Sequence, residues 1–209
     1  ARGITMLGNV LLKSLWDQRK PFLWWAVGLL ALTFITILFY PSMSEMTEIN
    51  VLLEDEDSIM RAFVGNVSDM TSPEGYLNSH MYYMMIPLLF LLLGITQGSG
   101  AIAGEEEKGT LDLLLSNPLT RSKVLIHKFA SMLVGMLILA VVLWLGTIVA
   151  VIAVDMDIGA RRVADITLSA SLLGVMFGTM ALTLGSATGK SGVSIGFTCA
   201  TAIFAYLMN

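Results

Sequence analysis

Charge is what this 209-residue chain has least of. Only 13% of its residues are Asp, Glu, Lys or Arg, about half the roughly 25% of an ordinary soluble domain. With 56% hydrophobic residues and a mean hydropathy of +0.77, too few polar side chains remain to cover a water-facing surface, which excludes a soluble globular fold and implies a membrane protein. Basic residues are also short, 12 against 16 acidic ones, so the chain has no positive field with which to hold nucleic-acid phosphates. One cysteine, Cys199, excludes an intrachain disulfide and a thiolate zinc cluster. HExxH and GxSxG are missing, and GSATGKS (185–191) fails as a phosphate loop because position 184 is Leu and no strand precedes it. His80 and His127 fall on opposite sides of the expected membrane. Nothing in the chain therefore supports an intramembrane enzyme, a metal site or a nucleotide site of its own.

What is present is apolar length. A helix needs about 20 mostly apolar residues to cross the hydrocarbon core, and five stretches qualify as candidates: 22–40, 81–103, 129–154, 166–188 and 193–208. The first apolar run lacks a small-residue cleavage pattern, so it is read as a retained span. Placing the N-terminus inside puts nine of the 12 basic residues in inside segments, leaving only Arg61, Arg161 and Arg162 outside, which favours an N-in topology. The chain starts at Ala1 and stops as its fifth apolar stretch ends, so it is expected to be part of a longer protein with a sixth span.

Between the spans, Ile4, Leu7, Leu11 and Leu15 share a helical face, which predicts an interfacial helix over 3–18, with Trp16, Trp24 and Trp25 near headgroup depth. The outer segment 41–80 combines Glu54, Asp55, Glu56 and Asp57 with apolar residues at helical spacing, and reads as an amphipathic cap whose acids form a solvated face. Ser72, Pro73 and Glu74 supply an N-cap, a first-turn proline and a first-turn acid, so the second span is expected to start outside the membrane. Glycine pairs at four-residue spacing, Gly94/Gly98, Gly100/Gly104 and Gly174/Gly178, predict close helix packing, whereas Gly185/Gly189 and Gly192/Gly196 are expected also to serve a tight turn. Polar residues within spans, Thr96, Gln97, Ser99, Thr147, Thr179 and Thr183, either line a translocation path or join helices; Gln97, Thr96 and Ser99 are the path candidates.

The most informative segment is GEEEKGTLDLLLSNPLTRSKVLIHK, 104–128. Gly109 ends a helix, Thr110 can cap a new one, Asp112 suits its first turn, and Asn117 with Pro118 stops it. A short helix over 110–117 would present Leu111, Leu114 and Leu115, either as a docking knob for a soluble partner or against lipid.

This segment resembles the coupling-helix signature of the type-2 ABC transporter permeases, and FVGNVSDMTSPEGYL (63–77) resembles the outer loop of a long-loop branch of that family. The resemblance implies an all-α polytopic bundle of six spans that dimerises with a second permease half. It implies docking of an ATP-binding-cassette ATPase subunit through Glu105, Glu106, Gly109, Thr110, Leu111, Leu114 and Leu115. ATP and Mg would then reside in that partner and no cofactor in this chain. The implied protein is a non-catalytic exporter permease working by alternating access, surrounded by lipid in a prokaryotic cytoplasmic membrane. A membrane scaffold or channel that recruits a cytoplasmic protein through the same helix is the alternative.

Overall fold

The computed structural model describes residues 2–41, 73–107, 109 and 121–208. Helix α1 spans Arg2–Leu38, joining the expected interfacial segment and first span in one rod. Pro21 removes one amide donor inside it, yet the helix passes through. The second span is built from four pieces: α2 (Pro73–Leu77), a π-helical turn (Asn78–Tyr82), α3 (Met85–Ala101) and α4 (Ala103–Glu107). The π turn closes with Tyr83 N donating to Asn78 O at 2.7 Å, and the backbone bends at Met84, where φ is −132°. Helices α5 (Arg121–Ala153), α6 (Ala160–Thr188) and α7 (Ser191–Leu207) follow. The described residues contain no strand.

Among the described residues four spans are long and apolar enough to cross a bilayer, Gln18–Leu38, Pro73–Ala101, Ser122–Ala153 and Ala160–Thr188, with α7 as a shorter apolar helix. At 1.5 Å per residue its 17 residues reach about 25 Å, a little under the hydrocarbon thickness of about 30 Å. The chain is thus an all-α polytopic membrane bundle. Of the cap expected over 41–80, residues 42–72 lie outside the described residues and 73–80 are helical, continuing into the second span; the coupling helix expected over 110–117 also lies outside them.

The helices end at two levels. At one, here the glutamate end, lie Glu105–Glu107, Lys128 and the Gly189–Lys190 turn. At the other, the tyrosine end, lie Tyr40, Tyr76 and Tyr82. Helix α6 lies along α3 in the most extensive contact of the bundle, and the two run in the same direction. A Cβ on Gly94 would overlap the carbonyl oxygen of Gly174, and one on Gly98 would overlap that of Gly178. Two of the expected glycine pairs therefore form a single seam in which backbone meets backbone, as small-residue packing in membranes requires. The third pair, Gly100/Gly104, has nothing within 4 Å of either position, because it lies off the face that α3 turns toward α6.

Helix α1 stands outside this seam and leans on α5. Its apolar window is 17% buried, against 44% for Ala160–Thr188. There glycine receives side chains: the Phe22 ring sits over Gly135 and Leu30 over Gly146. Trp16 and Trp24 remain exposed, with the Arg19 guanidinium 3.4 Å above the Trp16 ring centre, a cation–π contact.

Candidate functional site

Buried polar groups in an apolar bundle need partners, and at the tyrosine end they find one another. Tyr82 Oη lies 3.1 Å from both Thr147 Oγ1 and Thr167 Oγ1. The Thr147 hydroxyl donates to Leu143 O at 2.8 Å, so it accepts from Tyr82, and Thr167 is left to donate to the tyrosine oxygen. One hydroxyl chain thereby joins the second span, α5 and α6. Nearby, Tyr76 Oη donates to Thr36 O at 2.8 Å, tying α2 to α1, and its ring stacks on His80. The Trp144 indole donates to Ala160 O at 3.0 Å, closing the α5–α6 hairpin. In that hairpin Asp155 takes φ +52°, a left-handed position open to short polar side chains. An open cleft of about 460 Å³ lies between α2 and the start of α6, with Glu74 and Arg162 paired beside Asn78 over an apolar lining of Leu77, Val163 and Ile166.

The path candidates do not converge. Ser99 is buried and donates to Thr96 O at 3.2 Å. Thr96 is exposed and returns its hydroxyl to Leu92 O and Leu93 O, both at 2.9 Å. Gln97 is half-buried between them. Thr179 and Thr183 likewise donate to their own helix. Thr147 takes the joining role.

A second group of charged residues meets at the glutamate end. Successive helical residues point about 100° apart, so three glutamates on one turn fan out toward different neighbours. Glu105 pairs with Lys128 on α5, 23 positions later, both side chains largely shielded from solvent at 23% and 11% exposure. Removing Glu105 would leave the largely buried Lys128 ammonium without its carboxylate, which is far costlier than losing an exposed pair. The Glu106 carboxylate lies against Gly189, where a Cβ would come within 2.9 Å of it. Gly189 also has φ +65°, the left-handed cap of α6, so glycine is required there twice over. Glu107 accepts two bonds from one residue of α7: Ser191 N to Oε1 at 2.8 Å and Ser191 Oγ to Oε2 at 2.6 Å. A carboxylate at a helix N-terminus satisfies an orphan amide and suits the helix dipole, by about 0.3–1 kcal/mol at an exposed site such as this one. Three residues on, Ser194 Oγ donates to Ala181 O at 2.5 Å, fixing α7 to α6.

Of the residues assigned to docking, Glu105, Glu106 and Gly109 are described, and the two acids are engaged within the chain. Thr110, Leu111, Leu114 and Leu115 lie outside the described residues. Glu107, Lys128, Ser191 and Tyr82 were not singled out from sequence. Nothing local in the sequence marked them. Among the described residues no three His, Cys, Asp or Glu side chains are grouped to hold a metal ion.

A bundle of apolar helices sealed by glycine seams and hydroxyl chains is an integral membrane domain. A model of the ABC-2 family of transporter proteins matches residues 9–208, and the chain belongs to that family. It is accordingly a membrane permease component of an ABC transporter. No curated protein and no solved structure matches it.

Proposed function

We propose that the chain is a permease half of an ATP-driven exporter, with the glutamate end in the cytoplasm. In this reading it pairs with a second half and docks a separate ATPase through the leucine face of 110–117, while hydrolysis of ATP with Mg takes place in that partner. Closure of the ATPase subunits pushes on the docking segment and rocks the spans between inward- and outward-open states. The observation that carries the reading is the bracing at the glutamate end. Glu105 clasps Lys128, so the descending α4 and the rising α5 that flank the docking segment are clamped to each other, and force applied between them reaches both spans. The nine-to-three basic bias supports the orientation.

The test is pull-down of the ATPase, and measurement of its permease-stimulated hydrolysis, at matched membrane levels. Leu114→Asp puts a charge where a partner pocket would have to bury it, and is expected to abolish the complex. Asp112→Asn, off the leucine face, changes only a dipole contribution of about 0.3–1 kcal/mol and is expected to retain it. Full retention of both readouts by Leu114→Asp would remove the docking role and favour a scaffold or channel.

A further inference from the structure

We infer that Glu107 is a positioning residue that links the tip of α4 to α7, so that movement of the docking segment tilts the last helix as well as α5. The inference rests on the docking reading above and adds a second output to it.

Three observations meet at this residue. Glu107 is the final residue of α4, where the chain leaves for the docking segment, so it moves with whatever moves that segment. Each of its oxygens accepts a bond from Ser191 of another helix; two charge-assisted bonds to one residue fix direction as well as distance. And α7 has no capping side chain of its own: its N-cap is Lys190, in extended conformation at φ −123° and ψ 112° and without a side-chain cap bond. The grip on the start of α7 is thus supplied from another helix.

Glu106 reaches the same turn but contributes van der Waals contact with Gly189, which can push and cannot pull. Glu107 can do both. The α4 tip therefore holds α5 through Glu105 and α7 through Glu107, on opposite sides of one helical turn.

A cap that only stabilises α7 is replaceable by any cap; a link is not. The backbone at Lys190 suits a capping Asn, whose side chain would serve the α7 amides locally without touching α4. The experiment uses the assembled transporter, this chain with its ATPase subunit in lipid nanodiscs, in a Cys199→Ala background with Gly192→Cys as reporter. A side chain at Gly192 meets nothing within 4 Å. Maleimide labelling rates are compared without nucleotide and in the ATP–vanadate-trapped state. The parent is expected to label at different rates in the two states. Glu107→Ala is expected to lose the difference while still retaining the ATPase in pull-down, and Glu107→Ala/Lys190→Asn to regain thermal stability without regaining the difference. If Glu107→Ala fails to accumulate, Glu107→Gln, which keeps one acceptor oxygen, is read the same way and should show a reduced difference.

Recovery of the response by Lys190→Asn would make Glu107 a structural cap and overturn the link, as would an undiminished response in Glu107→Ala or Glu107→Gln. A parent that binds the ATPase yet shows no nucleotide-dependent labelling also overturns it, leaving docking intact. A parent that does not bind the ATPase removes the docking reading and the link together.

Discussion

Both the α3–α6 pair and the α1–α5 pair are seated on glycine, yet the glycines do different work. Between α3 and α6, Gly94 and Gly98 face the carbonyls of Gly174 and Gly178, and a main chain has no rotamer with which to retreat. Between α1 and α5, Gly135 and Gly146 face the ends of Phe22 and Leu30, which can turn aside. The first contact is rigid and specifies register. The second is a set of adjustable knobs on a helix that is mostly exposed. The residue type alone hides this difference, since only the partner decides whether a glycine receives a side chain or seats a backbone.

The comparison can be broken most severely at its rigid side. Gly174→Leu would drive a side chain into the main chain of Phe90, whose carbonyl oxygen lies 2.5 Å from the position a Cβ would take. A cost of about 3 kcal/mol or more is expected, the upper range of overpacking, read as loss of monodisperse protein in detergent and a lowered melting temperature. Parental yield and melting temperature in that variant would refute the seam. At the adjustable side, Gly135→Ala meets the Phe22 ring first and should cost about 1 kcal/mol, with Phe22→Leu in the same chain recovering most of the shift. If Gly135→Ala proved as damaging as Gly174→Leu, the distinction between the two contacts would fail. The smallest effect is expected at Gly100→Ala. With nothing within 4 Å, the change should be neutral or stabilise α3 by up to about 1 kcal/mol through helix propensity. Marked destabilisation in the assembled transporter, absent from the isolated chain, would show that this third glycine pair seats a second permease half.

Helix placement was legible because apolar length is a local property: the five stretches read from hydropathy fall on α1, the α2–α4 run, α5, α6 and the shorter α7. Their ends were less so. Helix α5 begins at Arg121, ahead of the apolar stretch at Phe129, because helical hydrogen bonding does not stop where hydropathy does. Gly94/Gly98 and Gly174/Gly178 were visible as pairs, but Gly100/Gly104 has the same spacing and an empty neighbourhood, and spacing alone cannot say which face meets a partner. The Glu105–Lys128 pair and the Glu107–Ser191 cap join residues 23 and 84 positions apart. In sequence these were charges on either side of the docking segment and a serine beyond the Gly189 turn; only the folded hairpins bring them together. Tyr82 gave no signal, since an aromatic beside other aromatics in an apolar run has no distinguishing pattern until Thr147 and Thr167 arrive from two other helices.

The turn between α6 and α7 is only Gly189 and Lys190, and with Ser194 bonded to Ala181 the two helices are joined at the glutamate end like the legs of a pair of compasses. Separation of the legs is negligible at the joint and grows with distance from it. For a leg about 25 Å long, opening by about 10° carries its far tip roughly 4 Å. Glu107 holds its leg beside the joint, where small displacements suffice, and Leu207 at the other tip travels farthest. A sub-ångström adjustment on one side of the bilayer can in this way part helices on the other.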